Sequence, residues 1–486
     1  MTTVGISSCG GHIPYLRLDR GVVARIWGRP SVGGERSVAN NDEDGITMAV
    51  EASRNCLGGR STEKVDGLFF ATTTAPYKEK MNASLIATAA DLKREITTAD
   101  FAHSLRAGTG ALKAAFDSVK SGSMSNVLVV ASDCRIGYPR SDQEQTFGDG
   151  SGAVMVSSEN LVATFEGSYS ICNEMMDVWR NPEDTFVRTW EGRFILGEGY
   201  INHMKEVVSG LLRKCNLEPK EISKAILPAP DMRSHTNLVK QLGFHMETQV
   251  QDPLLSSVGH CGSAHSLLML VGALEEASPG DMLLLANYAD GADAMLFKVT
   301  EEIKRERNQR TVKGCIEEKS LLASYARFLS YKGLVETAPG EPFRLMPSAT
   351  ASWRDRRSIL RCHGSKCRGC GKITFPVQRI CYHCDSKDTF DEVPISYLNG
   401  EVFTFTLDSL AGRSDDPVVI QTIVELGEEK VRFYGLMTDC DPSEVEVGMV
   451  VSLTFRRIYD GAGMHNYFWK CRPVRRGGIH NGQHKG

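Results

Sequence analysis

The chain has 486 residues, with 56 Lys and Arg against 60 Asp and Glu for a net charge of -4. That is length enough for two or three full cores, and it gives no global electrostatic case for nucleic acid as a partner. No apolar run reaches the roughly 18–20 residues that span a bilayer, and residues 1–20 lack a basic stretch followed by an apolar core, so a soluble cytoplasmic protein with no membrane partner is expected.

Residues 1–165 alternate short apolar strands with amphipathic helices. VGISSCGGHIP, VDGLFFATTT and NVLVVASDCR read as strands, and ITMAVEASRNCL and SLIATAADL as helices. The β-branched run of NVLVVASDCR suits a strand covered on both faces. At 97–112, TTADFAHSLRAGTGAL carries a β-like segment into a small-residue turn that opens a helix. Such a turn exposes one side chain and aims unpaired N–H groups at whatever sits there, an arrangement suited to a nucleophile. FGDGSGAVMVSS is a Gly-rich turn feeding a strand, and VATFEGSYSI is a further strand.

Residues 166–300 repeat the rhythm. YINHMKEVVSGLLRKCNL reads as a helix, KAILPAP as a strand and its exit, and SHTNLVKQLGF as a helix stopped by Gly243. GHCGSAHSLLMLVGALEEASPGD is a Gly-rich turn leading into an apolar helix, and MLLLANYADGADAMLFKV is two strands around a turn. The alternation argues α/β with a mixed or parallel sheet, and the two similar halves, about 1–165 and 166–300, suggest an internal repeat.

Residues 301–345 are a charged stretch, a helix over EEKSLLASYARFLSYKGL and a Pro-containing linker. From 346 the chain changes character. Cys367-Arg-Gly-Cys370 and Cys381-Tyr-His-Cys384 are two CxxC knuckles, the other ten of the 14 cysteines being scattered singly, the pattern of reduced thiols and not of a disulfide framework. Four thiolates close a tetrahedral sphere with no open position, so a structural Zn2+ in a zinc ribbon over 346–390 is expected. Cys362, His363 and His383 are read as bystanders. Five alternating strands over 391–475 suggest a small closed β-barrel of the OB type. The Gly- and His-rich tail, 476–486, is expected to be disordered.

The turn at 97–112, FGDGSGA at 147–153 and GHCGSAHS at 259–266, in that order, resemble the thiolase superfamily, particularly its 3-hydroxy-3-methylglutaryl-CoA synthase and ketoacyl synthase III branch. The resemblance implies a duplicated, layered thiolase-like α/β fold over 1–300, an acyl-CoA substrate with coenzyme A as part of it, a homodimer, and other thiolase-pathway enzymes as further partners. Residues 346–475 resemble proteins that join a rubredoxin-like zinc ribbon to an OB-fold and accompany such enzymes.

The superfamily's cysteine lies five residues after an aspartate matching Asp100; here that position is Leu105. The second position of the family's site falls near residues 228–230 and holds no histidine, with His235 a few residues on. The third falls at 258–262, where His260 stands for the branch's usual asparagine. A Gly-His turn before a helix can aim an imidazole N–H at a thioester oxygen, which makes His260 the candidate oxyanion donor or general acid. Cys261 is a reserve nucleophile, and Tyr288 a candidate acid or base of the kind implied by Cys-less thiolase-like aldolases. His103 and Ser104 are secondary candidates beside Leu105. Arg106, Gly259 and Gly262 are candidates to meet CoA. Three readings follow: Cys-independent (retro-)aldol chemistry beside the thioester, a synthase-like condensation with a substitute nucleophile, and a non-catalytic acyl-CoA-binding or scaffolding subunit.

Overall fold

The computed structural model describes residues 2–306, 311–336 and 347–474. The tail at 476–486 and most of the Pro-containing linker lie outside the described residues. The chain divides into a unit of Met1–Asn40, Asp44–Ala87 and Lys93–Phe328, and a second of Asn41–Glu43, Thr88–Leu92 and Leu329–Gly486.

The first unit is built on a nine-stranded sheet. Its strands are β1 (Gly5–His12), β2 (Gly67–Thr72), β3 (Thr97–Ala102), β4 (Asn126–Cys134), β5 (Asp149–Ser157), β6 (Ala163–Cys172), β7 (Lys224–Ile226), β8 (Met282–Tyr288) and β9 (Gly291–Val299). They run in the order β7-β8-β9-β6-β1-β5-β4-β2-β3. In the front half β3, β2 and β4 are parallel, and β5 and β1 follow antiparallel. The back half repeats this: β7 and β8 are parallel, with β9 and β6 antiparallel beyond them. The counterpart of β3 has shrunk to one parallel bridge, Ala225 to Val250. The halves join where β1 pairs with β6 at Gly5 and Ile6.

Side chains alternate across each strand, so one face of each half-sheet reads off the odd residues. Val127, Val129 and Ala131 of β4, Leu283 and Leu285 of β8, and Met295, Phe297 and Val299 of β9 share one core. That core encloses two helices, α3 (Ala107–Lys120) and α6 (His265–Glu276), through Ala111, Leu112, Phe116, Leu267, Leu270 and Leu274. The opposite face of the back half, Leu284, Ala286 and Leu296, packs on α4 (Asn202–Cys215) and α5 (Met232–Leu242). On the front half α1 (Gly45–Leu57), capped by Asp44 in a capping box with Thr47, covers β1, β4 and β5. The result is five layers, helix–sheet–helix–sheet–helix. α6 is buried on nearly all sides, as its unbroken apolar run requires.

One expectation needs correcting. The single helix expected over EEKSLLASYARFLSYKGL is interrupted: Thr311–Glu317 and Tyr325–Tyr331 are helical, but Ser320–Leu321 is a strand paired with Leu16–Asp19. Arg17, fully buried, donates to the Cys315 carbonyl (2.7 Å) and so anchors that turn. Satisfying the buried cation outweighs local helix propensity there. Among the described residues no helix is long and apolar enough to cross a membrane.

The second unit contains a three-stranded sheet, β10 (His363–Cys367), β11 (Ile373–Thr374) and β12 (Phe390–Pro394), with β10 central. It also contains a closed barrel of β13 (Gly400–Asp408), β14 (Val419–Leu426), β15 (Val431–Met437), β16 (Val450–Gly461) and β17 (Met464–Pro473). The barrel order is β13-β14-β15-β17-β16, with β16 closing on β13 and the β15–β17 contact parallel. Its interior is filled by Val402, Val424, Phe433, Leu453, Phe455 and Trp469. Buried Arg456 is neutralised by Asp42, Glu43 and Asp439, so the cation is fully paired.

Candidate active site

Two strand-to-helix turns meet at the middle layer. After β3 the chain passes through His103, which has φ +70°, then Ser104, Leu105 and Arg106 into α3. Asp100 accepts from the Asn82 and Ala83 backbone N–H groups (both 2.8 Å), capping α2 (Asn82–Ala89). The Leu105 carbonyl accepts from the Asn287 amide at 3.0 Å, and the Leu105 side chain is half-buried. Ser104 is half-buried and accepts from the Arg106 N–H (3.2 Å), whereas His103 is exposed. Arg106 donates to the Ile171 carbonyl (2.8 Å) and lies 3.5 Å from Asp293, which also accepts from Thr109 (2.7 Å). Nη1 of its guanidinium is engaged by protein.

The second turn is 258–262, ahead of α6. It crosses the FGDGSGA stretch: His260 donates its N–H to Thr146 and accepts from Gly148 N–H, at 2.8 and 3.2 Å. Glycine is required at both crossings. Gly259 has φ +94° and a Cβ there would lie 2.9 Å from Phe147 backbone; Gly262 has φ +59° and its Cβ would lie 2.3 Å from Asp133 Oδ2. Both glycines expected to meet CoA therefore have structural reasons of their own. In the first turn of α3, Gly108 packs so close that a Cβ would lie 2.6 Å from the Ser263 carbonyl oxygen, so the two turns abut.

His260 is partly exposed, and its Nδ1 accepts the Gly262 N–H at 3.2 Å. Burial, with His265 and Arg135 nearby, holds its pKa well below the ordinary value, so the ring is neutral and its proton sits on Nε2. It stacks on His265, ring centres 4.6 Å apart. His265 accepts the Cys261 N–H at Nδ1 (3.3 Å) and donates from Nε2 to the Pro253 carbonyl (3.0 Å). The neighbouring Cys261 is fully buried, and burial next to Asp149 pushes its thiol up, so no thiolate is available at neutral pH.

Tyr288 ends β8 on the face opposite Asn287 and packs with the outer core. Its ring stands edge-on to Tyr200 (5.9 Å) and stacks on His203 (5.8 Å). Burial, with Asp177 alongside, keeps the phenol protonated. His235 is wholly buried, and burial lowers its pKa; it lies on α5, within electrostatic reach of His265.

Three residues escaped the sequence reading. Asp133, fully buried at the end of β4, accepts from Thr72, Thr73 and Thr74 hydroxyls and from the N–H and hydroxyl of Ser263, all within 2.7–3.0 Å. It ties the exit of β2 to the His260 turn. Arg135, two residues on, is 5% exposed and lies over the Phe147 ring at 4.3 Å. Asp177 is buried, its carboxyl raised by burial and by Asp290. The available signal was a charged pair at the carboxyl end of a buried parallel strand, where α/β ligand sites form.

In the second unit the Cys367, Cys370, Cys381 and Cys384 sulfurs all lie within 4.8 Å of one another, with two pairs at 3.6 Å. Sulfurs about 2.3 Å from a tetrahedral ion sit about 3.8 Å apart, so the set fits a Zn2+. The Gly369 N–H donates to Cys367 (3.3 Å) and Ser386 lies 3.2 Å from Cys384, as thiolate ligands require.

No family model matches the chain. A hydroxymethylglutaryl-CoA synthase of Thermococcus sibiricus is 31% identical over 343 residues, 68% of this chain and 96% of that one. That of Pyrococcus furiosus is 31% identical over 329 residues, 66% of this chain and 90% of its own length. The chain belongs to the hydroxymethylglutaryl-CoA synthase family. A crystal structure of an HMG-CoA synthase complexed with CoA shares the fold at TM-score 0.61 and 18% identity, covering 70% of this chain and 92% of that one. The synthase match spans about two thirds of the chain, and within this synthase-like fold the turn after β3 carries Leu105.

Proposed function

We propose that the chain binds an acyl-CoA and makes or breaks the carbon–carbon bond beside the thioester by (retro-)aldol chemistry, without an acyl-cysteine. One observation carries this reading: a half-buried Leu105 stands at the turn after β3 and burial holds the Cys261 thiol protonated, while His260 offers a neutral Nε2–H. Covalent acyl transfer has lost its nucleophile; enolate stabilisation has kept its donor. In the cleavage direction the β-hydroxyl gives up its proton to water. The Cα–Cβ pair moves to the α-carbon, and the thioester oxygen takes up charge against His260. The carbonyl product leaves, and the enolate takes one proton back from water at the α-carbon, which balances the one lost from the β-hydroxyl. The membership in the synthase family supports CoA as part of the substrate, since condensation and its reverse share that enolate.

In this reading the four cysteines hold a structural Zn2+, and the barrel, whose order β13-β14-β15-β17-β16 is that of an OB-fold, completes the unit. The edge strand β3 ends the sheet with one side unpaired among the described strands, which supports a homodimer closing that edge. Apparent binding of a structural Zn2+ amounts to about 10–16 kcal/mol, so Cys381→Ser should lose the metal and unfold 360–390 in hydrogen exchange.

The test is a panel of β-hydroxyacyl-CoA thioesters assayed for release of a carbonyl compound and a shorter acyl-CoA. Turnover is expected, and His260→Ala should lower it by about two orders of magnitude. Binding of every member without turnover would refute the catalytic reading.

A further inference from the structure

Arg135 is a charged group beside His260 that the aldol reading leaves idle. It follows β4 by one residue and is 95% buried by its 5% exposure, yet among the described residues it has no hydrogen bond and no ion pair. A guanidinium carries five N–H donors, and none of the Arg135 nitrogens is among the fully buried atoms that lack a partner, so its residual exposure lies at the charged end, where an arriving acceptor can reach it. It lies over the face of Phe147, 4.3 Å from the ring centre. Asp133 and Asp177 lie within electrostatic reach, but Asp133 is fully engaged with threonine and serine donors and neither forms an ion pair with it. The guanidinium stays charged: burial lowers its pKa, but only to about 10.

Its position is fixed relative to His260 in two ways. The Phe147 backbone bridges His260, so the ring under Arg135 and the imidazole belong to one short piece of sheet. Gly262, whose N–H orients the His260 ring, lies so near that a Cβ would come 2.8 Å from Arg135 Cδ. A cation without a protein partner therefore lies within electrostatic reach of a neutral N–H donor beside the second turn.

We propose that Arg135 is a catalytic residue, binding the thioester oxygen together with His260 Nε2–H as that oxygen becomes an enolate. The assignment rests on the aldol reading. It explains why a buried cation is left without a protein acceptor: its acceptor arrives with the substrate, and the interaction strengthens as charge develops. A guanidinium supplies what the lost cysteine chemistry does not need, a full positive charge on an enolate that is never drained into an acyl-enzyme.

The test measures binding to the full chain by calorimetry, using two probes: CoA itself, and a CoA thioether ending in a nitroalkane, whose nitronate is planar and anionic like an enolate. The wild-type protein should prefer the nitronate. Arg135→Met should lose roughly 10- to 100-fold in nitronate affinity, the range for a charged hydrogen-bonded contact, with CoA affinity unchanged within about twofold. Arg135→Lys, which keeps charge but not the fork, should fall between and guards against a misfolded Met variant. If the wild type binds the nitronate and both folded variants bind it equally well, Arg135 is a packing residue and the proposal falls while the aldol reading stands. If the wild type binds neither probe, both fall together.

Discussion

The turn that opens α3 and the turn that opens α6 are the same device used twice. Each leads through small residues into a helix of the middle layer, and Gly108 of one packs on Ser263 of the other. Their contents differ. The first presents a half-buried leucine, and the groups around it, Asn287, Arg106 and Asp293, bond to protein. The second presents an imidazole with a free Nε2–H, braced by glycines, Asp133 and the FGDGSGA stretch. A duplicated scaffold can thus keep its architecture while the contents of its two turns diverge.

The sharpest way to break this comparison is Asp133→Asn. It sets an amide N–H₂ against hydroxyl and N–H donors that now point at a carboxylate, and it should cost about 3–5 kcal/mol in urea unfolding and release the His260 turn. An Asn variant within 1 kcal/mol (roughly the scatter of a surface change) would mean the brace is dispensable.

Acid probes the same turn. Burial lowers the pKa of His265 to about 4, against 6.5 for the free group. The unfolded chain therefore binds the extra proton first, so stability is complete above pH 6.5 and is lost as pH falls towards 4. The loss from this group is about 3 kcal/mol. It is read by comparing denaturant midpoints of wild type and His265→Gln at pH 7 and pH 4.5; parallel declines would contradict the buried neutral state.

Gly262→Ala forces a left-handed alanine against Asp133 and should cost roughly 1–3 kcal/mol with a lowered Tm. Leu105→Ala should do least: about 1–2 kcal/mol of stability from a half-buried side chain, with turnover of a β-hydroxyacyl-CoA unchanged. A collapse of turnover there would put the chemistry back at the first turn.

How far the sequence led depended on whether a residue belonged to a pattern. The apolar runs of β4 and α6 and the two Gly-rich stretches were legible because burial on both faces leaves a continuous apolar signature. The CxxC pairs were legible because ligand spacing is local. The lost partner of β3 was not, since one bridge at Val250 leaves no period to read. The small sheet of Leu16–Asp19 and Glu35–Val38 was hidden because Arg17 and Arg36, fully buried there, look like surface residues in one dimension. Asp133, Arg135 and Asp177 were missed for the same reason: each is a single charge whose meaning comes from neighbours far along the chain. His260 was found by its turn, but its protonation state comes from Gly262 and His265 in space.

The most direct test of the central claim is the intact mass of the protein, acid-quenched during turnover of a β-hydroxyacyl-CoA and again after incubation with acetyl-CoA alone. The account predicts product formation with the polypeptide mass unchanged at every time point. A stoichiometric acyl adduct on any cysteine would contradict it.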